Sequence, residues 1–322
     1  MDLKKIIVPI EEELGIFQDQ FVRSLKSNVS LIDLITRYIL RQKGKKIRPA
    51  LVILSAKLCG NVNERTYIGA NLVELLHTAT LIHDDVVDEA KTRRGIASIN
   101  AVWKNKVSVL MGDYLLSKGL LIALDNNEFQ FLKITSEAVR RMSEGELLQI
   151  QKARNFDATE ETYFKVISDK TASLFRACCM IGGLSVTDDQ DTVTKLGSYG
   201  ENLGIAFQIQ DDILDYAGRK KLLGKSTGND LKEKKFTLPL IKALSNAPKK
   251  RSSEIMKLIK SDSKKKFKDV FEFVYEYEGI AYAIEKMEEY SAKAKDSIND
   301  FKDSEVKTSL LDLLNYLEIR NS

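Results

Sequence analysis

The sequence predicts an all-α fold, one large helical domain over residues 1–322 built around a central cavity. Only four prolines occur, and the interval 50–238 has none, so long helices can run through it unbroken. The stretch 72–82 is apolar on nearly every side and does not alternate between apolar and polar residues, which predicts a buried central helix. Hydrophobic residues make up 43% of the 322 residues and charged residues 30%, which is typical of a globular chain with a substantial core.

The first half of the chain is predicted to be a series of helices separated by turns. Pro49 suits the first position of a helix that continues through the apolar run 50–54. Residues 59–63, Cys-Gly-Asn-Val-Asn, predict a turn before the central helix. Residues 125–127, Asp-Asn-Asn, predict a second turn.

The second half continues in the same way. The stretch 202–210 is amphipathic with helical spacing, and the Gly-rich residues 224–229 predict a turn. Residues 250–321 are rich in Lys, Glu, Leu and Tyr, again with helical spacing. No fixed-period repeat and no low-complexity linker divides the chain, so we predict a single domain.

Composition narrows the classes of function. The 50 basic and 46 acidic residues leave a net charge of +4, which is too balanced to favour a nucleic-acid partner. The three cysteines, two of them adjacent at Cys178 and Cys179, show neither a disulfide framework nor zinc-ligand spacing. We find no signal peptide and no uninterrupted apolar run near the ~20 residues that a membrane span needs. We therefore expect a soluble, cytoplasmic protein with reduced thiols.

Two Asp-Asp-x-x-Asp motifs carry the chemistry, and each follows an apolar helical run. Their carboxylates are those of Asp84, Asp85, Asp88, Asp211, Asp212 and Asp215. The first and last Asp of each motif share a helix face, where like charges repel and burial disfavours ionisation, so a cation is expected beside them. Mg²⁺ fits, because it binds a few carboxylates together with substrate phosphates. A solvated acidic helix end would explain one motif, but two at the ends of apolar helices favour the metal.

Both histidines of the chain precede the first motif. His77 lies seven residues, or two helical turns, before Asp84 and shares the face of Asp84 and Asp88. A histidine on an apolar helix is commonly a satisfied core residue, but this alignment with two carboxylates equally supports a role in anion binding. His83 points elsewhere and is interpreted as structural.

Each acidic motif is accompanied by basic residues. Arg48 and Lys45 flank the predicted helix start at Pro49, which is a favourable place for an anion. The remaining cations follow the motifs, as Arg93 and Arg94 after the first and Lys225 and Lys235 after the second. Each cluster alone is commonly a solvated surface, but the repeated pairing of acids with cations indicates a diphosphate ligand bridged by Mg²⁺.

These residues resemble the trans-type polyprenyl diphosphate synthases, most closely the long-chain octaprenyl and heptaprenyl type. The matching stretches occur in the order typical of that family, from about residue 44 to 241. They are Gly44-Lys45-Lys46-Ile47-Arg48-Pro49, Glu74 through Asp88, Thr92-Arg93-Arg94-Gly95, Asp169-Lys170-Thr171, Phe207 through Asp215 and Gly224-Lys225 through Leu240.

The resemblance implies an isoprenoid-synthase fold, a homodimer and Mg²⁺-dependent head-to-tail condensation of isopentenyl diphosphate with an allylic diphosphate. It implies that isopentenyl diphosphate is bound by Lys45, Arg48, His77 and Arg94. It implies that the allylic diphosphate is bound by Arg93, Lys170, Lys225 and Lys235, with Mg²⁺ on the two Asp motifs. Lys170, Thr171 and Gln208 are the predicted catalytic residues, with Thr171 and Gln208 beside the allylic carbon.

Product length is predicted from the residues one turn before Asp84. Ala79 and Thr80 are small, whereas short-chain family members commonly carry bulky groups there, which favours a long product, roughly C30 to C50, such as a quinone side chain. Another helix could instead close the channel just beneath, and Leu121 and Ile134 are the residues we suggest for its floor. A short-chain farnesyl or geranylgeranyl diphosphate synthase therefore remains the alternative.

Two other classes of protein share some of these features. Terpene cyclases share the first acidic motif but usually carry an Asn/Ser/Glu-type second site, unlike Asp211–Asp215 here. A non-catalytic subunit of a heteromeric synthase would be expected to lack an acidic motif or the Lys45/Arg48 pair, and this chain keeps all of them. The Lys-rich segment 249–268 is interpreted as a solvated face, with peripheral contact to anionic lipid during product release as the second interpretation.

Overall fold

The structure is a computed structural model that describes residues 3–42, 44–155, 159–217, 235–260 and 266–319. In these ranges almost all regular structure is helical. The one sheet among them is a two-residue antiparallel hairpin that pairs Thr92–Arg93 with Ile96–Ala97. The prediction of an all-α fold is confirmed.

The α-helices vary from one turn to nearly eight turns in length. In the first half they are Leu3–Ile6, Glu11–Ser24, Ser30–Arg41, Ile47–Cys59, Glu64–Val87, Ile99–Asp125 and Phe129–Asn155. In the second half they are Glu160–Ile167, Ser173–Leu184, Gln190–Ala217, Leu238–Asn246, Lys249–Lys260, Lys266–Glu276, Gly279–Ser297 and Glu305–Ile319. A short 3₁₀ turn, Val8–Ile10, and a π-helical turn, Ser168–Ala172, are the other helical elements within the described ranges.

The central helix, Glu64–Val87, carries the first acidic motif and is called the first-motif helix below. A capping box begins it: the side chain of Asn63 accepts from the backbone N–H of Thr66, and the Thr66 hydroxyl accepts from that of Asn63. The predicted turn at 59–63 is therefore confirmed. Seven of the eleven residues in the stretch 72–82 are buried and the other four are half-buried, in line with the prediction, and the stretch packs against Ile99–Asp125 on one side and Ile47–Cys59 on another.

The helix Ile47–Cys59 begins two residues earlier than predicted. Pro49 was expected at its first position but lies in the first turn, where its missing N–H also costs no helical hydrogen bond. The residue before the helix, Lys46, has a left-handed backbone conformation with φ 49°. The earlier start places Arg48 inside the first turn rather than before it.

The helix Gln190–Ala217 carries the second acidic motif and is called the second-motif helix. It packs most extensively against Ser173–Leu184 and Gly279–Ser297. Gly204 permits this close approach, because a Cβ there would lie 2.6 Å from Cα of Ala172. The contact brings the second motif beside the π-helical turn.

The helix Ile99–Asp125 differs from the prediction that no apolar run approaches the length of a membrane span. Its most apolar window has a mean hydropathy of 1.6, so by length and composition it could cross a membrane, as core helices of water-soluble proteins also could. Lys104 interrupts its helical geometry with φ 68°. Its outer side exposes several large apolar residues, namely Val102, Val109, Leu110, Leu121 and Leu124.

Candidate active site

The first acidic motif lies at the C-terminal end of the first-motif helix. Asp85 is buried, Asp84 is half-buried, and Asp88 is exposed just beyond the last helical residue. Nε of Arg93 donates to Oδ1 of Asp85 at 2.7 Å. Burial raises the pKa of both Asp84 and Asp85, and at Asp84 the neighbouring Glu146 carboxylate adds to the rise. A divalent cation beside these carboxylates would relieve that cost.

The second acidic motif lies in the last turns of the second-motif helix. Asp212 is buried and accepts two hydrogen bonds, from the Tyr163 hydroxyl at 2.7 Å and from Nε2 of Gln208 at 3.0 Å. Asp211 is exposed and Asp215 is half-buried. Sequence reasoning missed Tyr163. The available signal was its position seven residues before Lys170 on a helix that leads into the Asp-Lys-Thr element.

The three predicted catalytic residues, Lys170, Thr171 and Gln208, line one cavity of about 130 Å³ together with Asp212 and Lys235. The Thr171 hydroxyl donates to Oε1 of Gln208 at 2.9 Å, while Nε2 of Gln208 donates to Asp212. The amide of Gln208 is therefore fixed in one orientation. Its carbonyl oxygen faces Thr171 rather than standing free.

Lys170 and Thr171 belong to the π-helical turn Ser168–Ala172. Such turns are rare and occur frequently at functional sites. Arg141, on the helix Phe129–Asn155, braces this turn by donating to Oδ1 of Asp169 at 2.8 Å, to the Ser168 hydroxyl at 2.9 Å and to Oε1 of Glu201 at 2.9 Å. Nothing in the pattern of residues around Arg141 had indicated a role for it.

The two acidic motifs border adjoining pockets that share lining residues. Nζ of Lys170 forms an ion pair with Glu146 and donates to Oε1 of Gln149 at 3.3 Å. Glu146 and Gln149 also line the opening beside Asp88, and Gln149 and Lys235 line both this opening and the cavity of Asp212. Lys225, the remaining cation predicted here, lies outside the described residues.

The donor set fits Mg²⁺ shared with a substrate. Among the described residues no group of three or more His, Cys, Asp or Glu side chains is close enough to hold a metal ion by itself. Carboxylate oxygens are nevertheless the donors that Mg²⁺ prefers, and the ion commonly completes its shell with substrate phosphate and water. Burial is the main cause of the raised pKa values of Asp84 and Asp85, and a bound cation would favour their ionised forms.

A second polar cavity, of about 270 Å³, lies at the N-terminal end of the helix Ile47–Cys59. All four residues predicted to bind isopentenyl diphosphate line it, with Glu74 and Phe207 among the further lining residues. The four are Lys45, Arg48, His77 and Arg94. Nζ of Lys45 also contacts the Tyr316 hydroxyl at 3.2 Å. The structure thus brings this predicted set together.

His77 is neutral in this cavity. Burial lowers its pKa well below the ordinary value, and the charges of Arg48 and Arg94 lower it further. Nη1 of Arg48 lies 2.9 Å from Nε2 of His77, and because a guanidinium has only donors, Nε2 accepts and Nδ1 carries the proton. His77 therefore positions Arg48 and does not contribute a positive charge.

Two residues of this cavity adopt left-handed backbone conformations, Lys46 with φ 49° and Arg94 with φ 50°. Such conformations are uncommon for residues other than glycine and concentrate at functional sites. Gly44 lets the Arg94 guanidinium approach the chain, because a Cβ at position 44 would lie 2.3 Å from Nη1 of Arg94.

The residues predicted to set product length occupy the predicted helix, one turn before Asp84. Ala79 is buried, and Thr80 is half-buried with its hydroxyl donating to the carbonyl of His77 at 2.9 Å. The suggestion that Leu121 forms a channel floor is wrong, because its side chain is 54% exposed on the outer side of Ile99–Asp125. Ile134 lines a separate cavity between Phe129–Asn155 and Ser173–Leu184.

Comparison with known proteins assigns the family. The model of the polyprenyl synthetase family matches residues 29–277, which include both acidic motifs and both cavities. The chain belongs to the polyprenyl synthetase family.

Its relatives within this family include synthases of both long and short products. The octaprenyl diphosphate synthase of Haemophilus influenzae is 33% identical over 99% of this chain and 96% of its own length. The polyprenyl synthase of Caulobacter crescentus, solved with calcium and isoprenyl diphosphate, superposes with a TM-score of 0.92 at 29% identity, covering 100% and 98% of the two chains. The geranylgeranyl pyrophosphate synthase of Bacteroides thetaiotaomicron superposes with a TM-score of 0.84 at 37% identity over 98% of each chain.

Proposed function

We propose that this polyprenyl synthetase condenses isopentenyl diphosphate, head to tail, with an allylic diphosphate to give a long-chain polyprenyl diphosphate. The observation that carries the proposal is the arrangement of charge. Two acidic motifs border adjoining pockets beside Lys170, and a further cavity holds Lys45, Arg48 and Arg94. This arrangement provides separate sites for two diphosphates, one beside the two Asp motifs and one in the cavity of the basic residues.

The allylic diphosphate is assigned to the space between the two motifs. Asp84, Asp88 and the second motif would hold Mg²⁺ there, and Mg²⁺ would neutralise the charge that develops on the departing diphosphate. Lys170 and Lys235 border the same space and add positive charge to it. Arg93, which pairs with Asp85 in this structure, would exchange that partner for phosphate oxygens.

Isopentenyl diphosphate is assigned to the cavity of Arg48, Arg94 and Lys45. Arg48 is oriented by His77, so its guanidinium group is positioned before the ligand arrives, and the absence of a side chain at Gly44 leaves room for the guanidinium group of Arg94. Preorganised donors of this kind lose little conformational entropy when they bind phosphate.

The condensation itself is assigned to the region of Thr171 and Gln208. The bond between the allylic carbon and the diphosphate oxygen breaks, and the double bond of isopentenyl diphosphate attacks the resulting cation. The oriented dipoles of the Thr171 hydroxyl and the Gln208 amide stabilise positive charge there. A proton then leaves the new cation, and the released diphosphate accepts it.

A product of roughly C30 to C50 is supported by the small residues Ala79 and Thr80 and by the long-chain relatives. The named geranylgeranyl pyrophosphate synthase, at 37% identity, favours a C20 product instead. Family membership alone therefore does not decide the length. We propose that the space one helical turn before Asp84 sets the length, and sizing of the product measures that length directly.

We further propose a homodimer, a single domain over 1–322 and a cytoplasmic location. The apolar outer side of Ile99–Asp125, where Leu110 and Leu121 are 60% and 54% exposed, provides the surface for a second copy. The three free cysteines, two of them buried, suit a reducing compartment. Contact of the Lys-rich segment 249–268 with anionic lipid stays a prediction, and vesicle binding that does not weaken with salt would contradict it.

The reaction is tested by incubating the protein with isopentenyl diphosphate, an allylic diphosphate and Mg²⁺ and measuring released diphosphate. Asp84→Asn should lower kcat by roughly 100-fold or more, because it removes a carboxylate from the metal site. Asp125→Asn, which changes the charge equally at an exposed position outside both cavities, is the control and should leave kcat unchanged. Equal activity of the two variants would contradict the assignment.

A further inference from the structure

Glu74 is the one carboxylate among the described residues that line the cavity assigned to isopentenyl diphosphate. It lies on the first-motif helix, three residues and about one turn before His77, and it also borders an adjoining cavity of about 330 Å³. Neither the Asp motifs nor the catalytic steps above use it. A half-buried acid in a site that binds an anion requires an explanation.

Cations surround Glu74 from three different segments of the chain. Lys46 lies in the loop before Ile47–Cys59, Arg48 lies in the first turn of that helix, and Arg94 lies in the hairpin. These three charges act on the carboxylate through space, and among the described residues none of them forms a side-chain hydrogen bond with it. Glu74 therefore balances the cluster as a whole instead of pairing with one member.

The other titratable groups around Glu74 do not replace it as a counter-charge. His77 is neutral, as shown above. Cys178, which lies beside Arg48 on Ser173–Leu184, has a pKa raised well above its ordinary value by burial, so its thiol is neutral too. Asp85, in the adjoining cavity, is paired with Arg93.

We propose that Glu74 is the internal counter-charge of this cavity, and that its carboxylate takes up one proton from solvent when isopentenyl diphosphate enters. The inference rests on the proposed function, since it assigns that ligand to this cavity. In the empty cavity the carboxylate offsets part of the repulsion among Lys46, Arg48 and Arg94. The entering diphosphate supplies several negative charges to the same cations, so a second, ionised acid beside it becomes unfavourable and is neutralised.

The electrostatics of the empty cavity support this exchange. Burial raises the pKa of Glu74 to about 7, although Arg48, Arg94 and Lys46 each oppose the rise. Near neutral pH the carboxylate is thus already poised to accept a proton. An added anion raises the pKa further, so above pH 7 binding of the diphosphate draws a proton from solvent.

The proton count is measured by isothermal titration of the full-length protein with isopentenyl diphosphate at pH 8, where the ligand itself is fully ionised. Titrations in two buffers with different ionisation enthalpies give the number of protons bound per ligand. The wild-type protein should take up a substantial fraction of one proton, Glu74→Asp should retain uptake, and Glu74→Gln should show none. Glu272→Gln, an exposed charge removal far from the cavity, should behave as the wild type.

The affinity provides a second readout that a purely structural role would not produce. The wild-type dissociation constant should rise with pH by up to about tenfold per unit above pH 7, because binding is coupled to one proton. Glu74→Gln should bind with a constant that does not depend on pH in this range, and more tightly than the wild type at pH 8.5. Equal proton uptake by the wild type and Glu74→Gln, or no uptake by either, would overturn the inference while leaving the condensation activity intact. Absence of any binding to the wild type would overturn the proposed function as well.

Discussion

At the scale of single residues, the buried carboxylate of Asp212 depends on two neighbours that hold it in place. Gln208 was expected from the sequence to act near the allylic carbon, whereas Tyr163 was not expected at all. The structure gives both the same task, since each donates one hydrogen bond to Asp212. Metal-binding carboxylates that are oriented in this way lose affinity or activity when the orienting group is removed.

Tyr163→Phe should therefore lower kcat by roughly 10- to 100-fold and weaken the apparent affinity for Mg²⁺, because it deletes the hydroxyl while keeping the ring. Steady-state kinetics across a Mg²⁺ titration measure both effects. Tyr275→Phe, at a tyrosine that is 49% exposed, serves as the control and should change neither. If Tyr163→Phe retains the wild-type Mg²⁺ dependence, the orienting role is wrong.

The sequence predicted charged site residues better than the neutral or distant ones. Lys45, Arg48, His77 and Arg94 could be named because their types and order are distinctive, and they do line one cavity. The protonation of His77 could not be predicted, because it follows from burial beside two arginines rather than from its position in the helix. Glu74 lies within one of the stretches that match the family, but nothing in the sequence shows which way its side chain faces, so the sequence alone did not predict a role for it.

At the scale of an element, the π-helical turn Ser168–Ala172 determines where Lys170 and Thr171 point. Each residue inserted into or removed from an α-helix rotates the residues that follow by about 100° around the helix axis. A π-helical turn therefore changes the direction in which the neighbouring side chains point. The sequence predicted the helix but not this irregularity, because the ion pairs of Arg141 that brace it join residues far apart in the chain.

Arg141→Met should remove this brace. We expect the free energy of unfolding to fall by roughly 2–4 kcal/mol, because the partly buried Asp169 and Glu201 lose a shared partner, and kcat to fall as Lys170 and Thr171 lose their position. Chemical denaturation and kinetics measure the two effects. The adjacent Arg140→Met is a matched control, since Arg140 is 55% exposed and pairs only with surface glutamates. Similar losses in both variants would show that the brace has no special role.

The start of the helix Ile47–Cys59 shows a second limit at this scale. Pro49 correctly indicated a helix start, but proline is tolerated at any position in the first turn. The left-handed Lys46 sets the actual boundary. Proline therefore predicted that a helix begins here, but the exact first residue follows from the backbone conformation of Lys46, which the sequence did not indicate.

At the scale of the whole molecule, the helical class was predictable and the floor of the product channel was not. Proline spacing and the apolar stretch 72–82 were sufficient for the all-α fold. Which side of the first-motif helix faces a channel depends on packing with several other helices. For that reason Leu121, suggested as a channel floor, proved to be exposed on the outer side of Ile99–Asp125.

That outer side carries a prediction about assembly. Leu110→Asp should dissociate the proposed homodimer, because a buried unpaired charge at an apolar interface is strongly unfavourable. Sedimentation equilibrium should detect dimers for the wild type and monomers for the variant. Val29→Asp is the control and should leave the dimer intact, because Val29 is 54% exposed but does not belong to the helix Ile99–Asp125. A wild-type monomer, or a Leu110→Asp dimer, would contradict the prediction.

The length of the product is also a property of the whole molecule. Thr80→Phe should shorten the product, because a bulky ring one turn below Asp84 would obstruct the growing chain, whereas Thr80→Ser should not. Ala79→Tyr should act in the same direction but with a cost of about 1–3 kcal/mol in stability, since Ala79 is only 2% exposed in a packed region. Chromatography of radiolabelled products measures the change, and an unaltered length in Thr80→Phe would refute it.

The most direct test of the central claim is one incubation of the wild-type protein with radiolabelled isopentenyl diphosphate, farnesyl diphosphate and Mg²⁺, followed by chromatographic sizing of the product. We predict a polyprenyl diphosphate of roughly C30 to C50 whose formation is abolished by chelation of the metal. A product that stops at C20 would contradict the long-chain assignment. No consumption of isopentenyl diphosphate in the presence of Mg²⁺ would contradict the proposed reaction.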